Sequence, residues 1–358
     1  MKRAWLLAAC LLGCAPTLPK AYLSARDAAE LAYAGGHFND AGQRWLEAAS
    51  RAASARDRTE ARYRAATSYE RAGDVERARA LYTLLASGKS DRAARATFAL
   101  ADLRLKGGDA AAGNAELEAA LRRYPSSGVA NLGLRRYFAY LSEQGGDQAV
   151  LDYIDRVTPE LGATELGEQL AYERARRLDA QGKTAEARDA YVNLADHFPY
   201  PHGAYWDDAL FRGAECEARL GRPERAIELL SRMLAAREVS HLSGSYERPR
   251  FAEAAFRLAV LYRDARADPE RARAAFRRVF LDYPTSILRD DALWQEALLA
   301  GNTDAACAPL ELLVAQLSDS RYAACAHELC PKLPAQKSRE CPLYIERQLN
   351  RANPEPGN

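Results

Sequence analysis

Apolar residues recur along most of the chain at three- and four-residue spacing. Tyr63, Ala66 and Tyr69 make one such run and Ala78, Tyr82 and Leu85 the next; Tyr172, Ala175 and Leu178 precede Ala187, Tyr191 and Leu194 in the same way. This is the period of an α-helix with one buried face. No stretch sustains a period-two alternation, so no sheet is expected. Gly73, Gly182 and Gly221 fall between paired runs, where a left-handed residue would end the first helix. Pro125, Pro199 and Pro284 follow the second run and stop it, because proline cannot continue a helix. The pattern predicts pairs of helices joined by tight turns, one pair after another.

The pairs share fixed offsets. Tyr63, Ala66, Gly73, Ala78, Tyr82 and Leu85 have counterparts in Tyr172, Ala175, Gly182, Ala187, Tyr191 and Leu194, and again in Phe211, Ala214, Gly221, Ala226, Leu230 and Met233. Weaker copies keep the register: Gly36, Ala41, Trp45 and Ala48; Phe98, Ala101, Gly108, Leu117 and Ala120; Phe256, Ala259, Ala272, Phe276 and Val279; and Trp294, Ala297, Gly301, Leu310 and Leu313. Residues 131–165, with Gly145-Gly146 and Pro159, match only loosely. These offsets resemble tetratricopeptide repeats, helix–turn–helix units with a period of about 34 residues. The resemblance implies an all-α, right-handed α-solenoid of about eight repeats that binds along a concave face lined by the first helix of each pair. Small residues at Ala66, Ala175 and Ala214, and at Ala78, Ala187 and Ala226, are then the points where helices cross, and Tyr82, Tyr191 and Leu230 fill the space between repeats. The repeats run over 24–237 and 250–345, separated by an insertion, Glu238 to Pro249, that would act as a hinge.

Three residues before the small alanine of the first helix, an aromatic recurs six times: Tyr63, Phe98, Tyr172, Phe211, Phe256 and Trp294. Two readings follow. The rings form a ladder of contacts for a bound peptide or glycan, since rigid aromatics are favoured anchors; or they pack against the neighbouring repeat, as apolar residues at helical spacing usually do.

The two ends of the chain differ from its middle. Lys2 and Arg3, the apolar stretch Ala4 to Leu12, and Leu11-Leu12-Gly13-Cys14 have the form of a secretory signal, far too short to span a bilayer. The box resembles that of bacterial lipoproteins, in which the cysteine is the first mature residue and carries the acyl chains; Leu7-Ala8-Ala9-Cys10 also fits, but leaves too short an apolar region. The alternative is an ordinary signal with an incidental cysteine. On the lipoprotein resemblance, residues 1–13 are removed, Cys14 is lipidated, 14–23 form a tether, and Ala15 in place of an aspartate implies the outer membrane, facing the periplasm. At the other end, Cys307, Cys325, Cys330 and Cys341 crowd together. In an oxidising compartment such a cluster is expected to form disulfides, and Pro331 and Pro334, opening a loop that Cys341 could close, favour Cys307 with Cys325 and Cys330 with Cys341. A metal site is the alternative, but the spacing matches no common zinc arrangement. Cys216, among apolar helical positions, reads as a buried thiol, and 346–358 as a flexible tail.

Composition narrows the function. In 358 residues, 50 Lys and Arg face 49 Asp and Glu, finely mixed, which excludes a strongly basic nucleic-acid binder. There is no Gly-rich phosphate loop, no His-Glu-x-x-His and no Gly-x-Ser-x-Gly, and the five histidines are scattered. No enzyme, metal or cofactor is expected. Asp207-Asp208 and Asp290-Asp291, each before Ala-Leu-aromatic, read as charges that favour a helix N-terminus. The junction Phe280-Leu281-Asp282-Tyr283-Pro284-Thr285-Ser286 is similar to those of Tol-Pal-associated periplasmic repeat proteins and of the outer-membrane assembly lipoprotein BamD. That similarity implies an adaptor for protein partners in the cell envelope, held to the membrane by its N-terminal lipid; a peptidoglycan- or oligosaccharide-binding lipoprotein is the alternative.

Overall fold

The structure is a computed structural model and describes residues 18–236, 250–301, 303–335 and 340–352. Cys14, the signal, the 238–249 insertion and residues 353–358 lie outside the described residues. Among these there are seventeen α-helices, one 3-10 turn and no strand. The chain divides into two compact units, up to Gly167 and from Glu168 onward.

The first unit contains α1 (Lys20–Ala34), α2 (Phe38–Arg51), α3 (Ala55–Arg71), α4 (Val75–Ala86), α5 (Asp91–Lys106), α6 (Ala110–Arg123) and α7 (Ala130–Leu161). Consecutive helices pack as hairpins, and each hairpin packs on the next. The turn chemistry is local. Gly73, at φ 79°, ends α3, and the Asp74 side chain then accepts a 3.1 Å hydrogen bond from the Arg77 N–H to cap α4. Gly108 and Asp109 do the same between α5 and α6. Helix α7 is itself a hairpin: it breaks at Gly145 and Gly146, and the Tyr137 and Tyr153 rings on its two halves lie 4.8 Å apart. Sixteen residues of straight helix would separate them by about 24 Å. The loosely matching 131–165 segment is therefore a full helix pair, with Gly146, at φ 66°, supplying the turn.

The second unit contains α8 (Gly167–Ala180), α9 (Thr184–His197), α10 (Trp206–Arg219), α11 (Pro223–Ala235), α12 (Arg250–Asp264), α13 (Pro269–Asp282), α14 (Arg289–Ala300) and α15 (Asp304–Gln316), followed by a cap of the 3-10 turn Ala323–Cys325, α16 (Ala326–Leu329) and α17 (Leu343–Ala352). The crossing residues Ala66, Ala78, Ala175, Ala187, Ala214 and Ala226 are all fully buried, as are Tyr191 and Leu230. Helices α6, α9 and α13 each stop two residues before the closing proline, because the residue preceding proline is driven out of helical geometry.

Several expectations about boundaries are corrected. Helix α1 begins at Lys20, inside the expected tether 14–23, and α17 occupies much of the expected tail 346–358, anchored by buried Ile345 and Leu349. Helices α11 and α12, on either side of the insertion, pack together within the second unit, so no domain boundary falls there. The cystines join Cys307 to Cys330 and Cys325 to Cys341, not Cys307 to Cys325 and Cys330 to Cys341. Helix α16 separates Cys325, which ends the 3-10 turn, from Cys330, and it is Cys330, just after α16, that meets Cys307 of α15, while Cys325 meets Cys341 just before α17.

Candidate binding surfaces

The six aromatics lie in one register but do not form an open ladder. Trp294 is fully buried and stacks on Tyr322 of the cap, ring centroids 4.9 Å apart. Phe98 is buried under Gly133 of α7, where any Cβ would lie 2.7 Å from its ring. These two are not groove residues. Tyr63, Tyr172, Phe211 and Phe256 are half-buried. The Arg92 guanidinium lies 4.7 Å over Tyr63, Tyr205 stacks on Tyr172 at 4.2 Å, and Arg250 lies 5.2 Å over Phe211. Phe256 meets Phe276 of its own hairpin at 5.2 Å. The covering residue generally comes from about one repeat further along the chain, so the position seals the junction between hairpins.

Around these rings the first helices are bolted together by ion pairs. In the first unit Glu60 accepts from Arg92, Glu70 from Lys106 and Asp102 from Arg136. In the second, Asp179 pairs with Arg219, Glu215 with Arg257 and Asp208 with Arg250. Asp208 is a hub: it accepts from Tyr172 on the preceding hairpin, from Arg212 on its own helix at 2.6 Å and from Arg250 on the next hairpin at 2.6 Å. Burial alone would raise its pKa, but the Tyr172 and Arg212 hydrogen bonds outweigh it and hold the carboxyl below the ordinary range. Tyr172 is pushed up to about 12, first by burial and then by Asp208. Asp291 stands at the same register and accepts from Tyr322 and Arg321 of the cap, both at 2.5 Å, while Asp290 takes 2.8 Å from Ser320. Both acidic pairs do lie in a helical first turn. Their second aspartates also cross to neighbouring hairpins, which helix-dipole reasoning missed; their identical place before Ala-Leu-aromatic was the available signal. In the first unit Glu118 is a comparable hub, held by Tyr137, Arg122 and Arg156.

Two clefts open on the other side of the first helices, between successive second helices. One, of about 500 Å³, lies between α4, α5 and α6; the other, of about 600 Å³, between α11, α12 and α13. They occupy the same register: Thr97, Leu100 and Arg104 floor the first and Ala255, Leu258 and Tyr262 the second, at equal offsets from the small Ala101 and Ala259. Repeat offsets point to the first-helix face alone and carry no signal for these clefts.

Cys216 is a buried free thiol whose pKa is raised, chiefly by burial. Among the described residues no group of three or more His, Cys, Asp and Glu is placed to hold a metal ion, and no helix is long and apolar enough to cross a membrane.

The family model for the tetratricopeptide repeat matches residues 60–87 and 253–286, which cover α3 with α4 and α12 with α13. The two matched segments are tetratricopeptide repeats, and the remaining described helices follow the same succession of helix–turn–helix hairpins with small crossing residues. Among solved structures, the chain is similar to the C-terminal part of a TPR repeat-containing protein from Cytophaga hutchinsonii, with 14% identity, 74% of this chain and 98% of that one covered, and a TM-score of 0.46. It is also similar to a tetratricopeptide repeat protein from Parabacteroides merdae, with 14% identity, coverage of 78% and 99%, and a TM-score of 0.33. A third is PilW, titled a widely conserved type IV pilus biogenesis factor, with 21% identity, coverage of 64% and 95%, and a TM-score of 0.38. No curated protein matches the sequence.

Proposed function

We propose that this chain is a non-enzymatic adaptor of the cell envelope, anchored by lipid at Cys14 to the outer membrane and facing the periplasm, where it holds protein partners for complex assembly. The observation that carries the reading is the pairing of an export-type N-terminus, ending in Leu11-Leu12-Gly13-Cys14, with two cystines that close the C-terminal cap. Cystines persist in oxidising compartments and are rare in reducing ones. The similarity of the Phe280 to Ser286 junction to envelope adaptors supports the same class of role. Glycan capture by an aromatic ladder is less well supported, because it needs flat, open rings and two of the six are buried while three others are covered.

The test is Cys14→Ser in the producing cell. Wild-type protein is expected in the membrane fraction, labelled by a fatty-acid probe, and the variant in the soluble fraction without label. Cross-linking on the wild type should trap envelope proteins. Membrane fractionation of the variant with neither form labelled refutes the anchor, and a chain that traps only cytoplasmic proteins refutes the location.

A further inference from the structure

The cleft of the second unit has a shape and a rim that specify an occupant. We propose that the cleft between α11, α12 and α13 docks one amphipathic α-helix of a partner protein, apolar on the entering face and acidic along its flanks; this rests on the adaptor reading and adds to it where and what the adaptor grips. The floor is Ala255, Leu258 and Tyr262 of α12, with Leu234 of α11 and Ala275 of α13 as apolar residues on the two walls. Along α13 a single stripe, Arg271, Ala274, Arg278 and Leu281, borders it at helical spacing. The stripe runs about 15 Å, nearly three helical turns. Leu281 continues it beyond the cleft and is 62% exposed. Small residues at Ala235 and Ala274 leave the walls low enough for a helix backbone to approach, and a groove between two helices receives the side-chain ridge of a third.

The rim gives the charge. Arg271 pairs with Asp268 at 3.4 Å and Arg278 with Asp282 at 3.0 Å, but the arginine side chains are 63% and 76% exposed and the aspartates 34% and 27%. Asp282 also lines the cleft, but the more exposed charge on its rim is guanidinium, complementary to Glu or Asp on the flanks of the incoming helix. The register-equivalent cleft of the first unit differs in the exposure of its acids: Glu116 and Asp109, which pair with Arg104, are 41% and 54% exposed, close to the 48% of Arg104 itself, so its rim is of mixed sign.

The experiment selects binders to the full mature chain from a displayed library of peptides of about 16 residues, patterned with apolar positions at helical spacing and unrestricted charge at the flanks. Selected peptides are expected to carry more Asp and Glu than Lys and Arg. Their affinity should fall by about tenfold or more on R271E/R278E and on Ala274→Arg, and stay within about twofold on Arg79→Glu in the other cleft. Lysine-flanked versions should regain binding on R271E/R278E, a rescue that a merely misfolded variant could not give, and hydrogen exchange should slow over 271–282. Peptides without acidic bias, or indifferent to these substitutions, overturn the proposal, as does a selection that enriches nothing. Self-association of the chain that vanishes in Ala274→Arg would make a second copy the occupant and overturn it too. If cross-linking still traps partners on R271E/R278E at wild-type yield, the cleft inference fails and the adaptor reading stands; if the wild type traps none, the adaptor reading itself fails.

Discussion

Replacing Trp294 with alanine separates the two readings of the aromatic positions. If Trp294 were a groove residue, truncation would cost partner binding and little stability. Its side chain is fully buried, packed in the core formed by α14, α15 and the cap, and stacked on Tyr322. Removing a buried tryptophan costs about 3–5 kcal/mol through lost burial and the cavity left behind, including about 0.5–1.5 kcal/mol for the ring pair. One effect opposes this. The indole Nε1 has no hydrogen-bond partner among the described residues, so its removal also relieves an unpaired buried donor, worth about 1–3 kcal/mol. The expected net loss is thus about 2 kcal/mol. In an array of repeats such a loss is felt by the damaged element and its neighbours before the far end. The measurement is urea unfolding followed by far-UV circular dichroism, with both cystines intact, together with hydrogen exchange resolved by segment. Faster exchange is expected across 289–330, with α3 and α4 unchanged. An unaltered midpoint and unaltered exchange, accompanied by loss of partner capture, would refute the packing argument and restore the ladder.

Asp208→Asn should cost about 2 kcal/mol, because Arg212 and Arg250 lose a charged acceptor. Since the folded carboxyl lies below its ordinary pKa, its contribution is complete above the unfolded value of about 3.9, shrinks as pH falls below that and is gone beneath the folded value. The stability gap between wild type and variant should therefore close on acidification; a gap that is constant from pH 6 to the lowest pH at which the chain stays folded contradicts the hub. Cys325→Ser opens a loop spanning a separation of 16 residues and should cost about 3 kcal/mol. Mass-spectrometric mapping of the intact protein should find Cys307 linked to Cys330, and a Cys307–Cys325 peptide would show the structure's pairing to be wrong. Gly133→Ala places a methyl 2.7 Å from the Phe98 ring and should destabilise the first unit by about 1–3 kcal/mol, read from its melting; a neutral result would mean that α7 does not close over Phe98.

Much of this protein is written locally in its sequence. The helix pairs follow from apolar spacing, their turns from Gly73 and Gly108 with the capping aspartates, and their ends from Pro125, Pro199 and Pro284, each acting within a few residues of itself. The crossing alanines were legible for the same reason: a small residue at a fixed offset has one use. Even residues 131–165, poor in repeat signature, kept the apolar period and a Gly-Gly turn, which suffices for a hairpin. Other features depend on residues about one repeat away, at separations that vary. Whether an aromatic is buried, like Trp294, or half-open, like Tyr63, is decided by what the next element lays over it: Tyr322 in one case, Arg92 in the other. The second role of Asp208 needed Tyr172 and Arg250 brought to it from two other hairpins. The cystine pairing turned on the short helical segment at 323–329, which leaves Cys330 at α15 and Cys325 at the segment before α17. The clefts exist only because successive second helices stand apart over a first helix. Sequence thus determined the elements and their order, because propensity, capping and period are short-range; tertiary structure alone decided which faces are covered, because burial depends on what arrives from elsewhere in the chain.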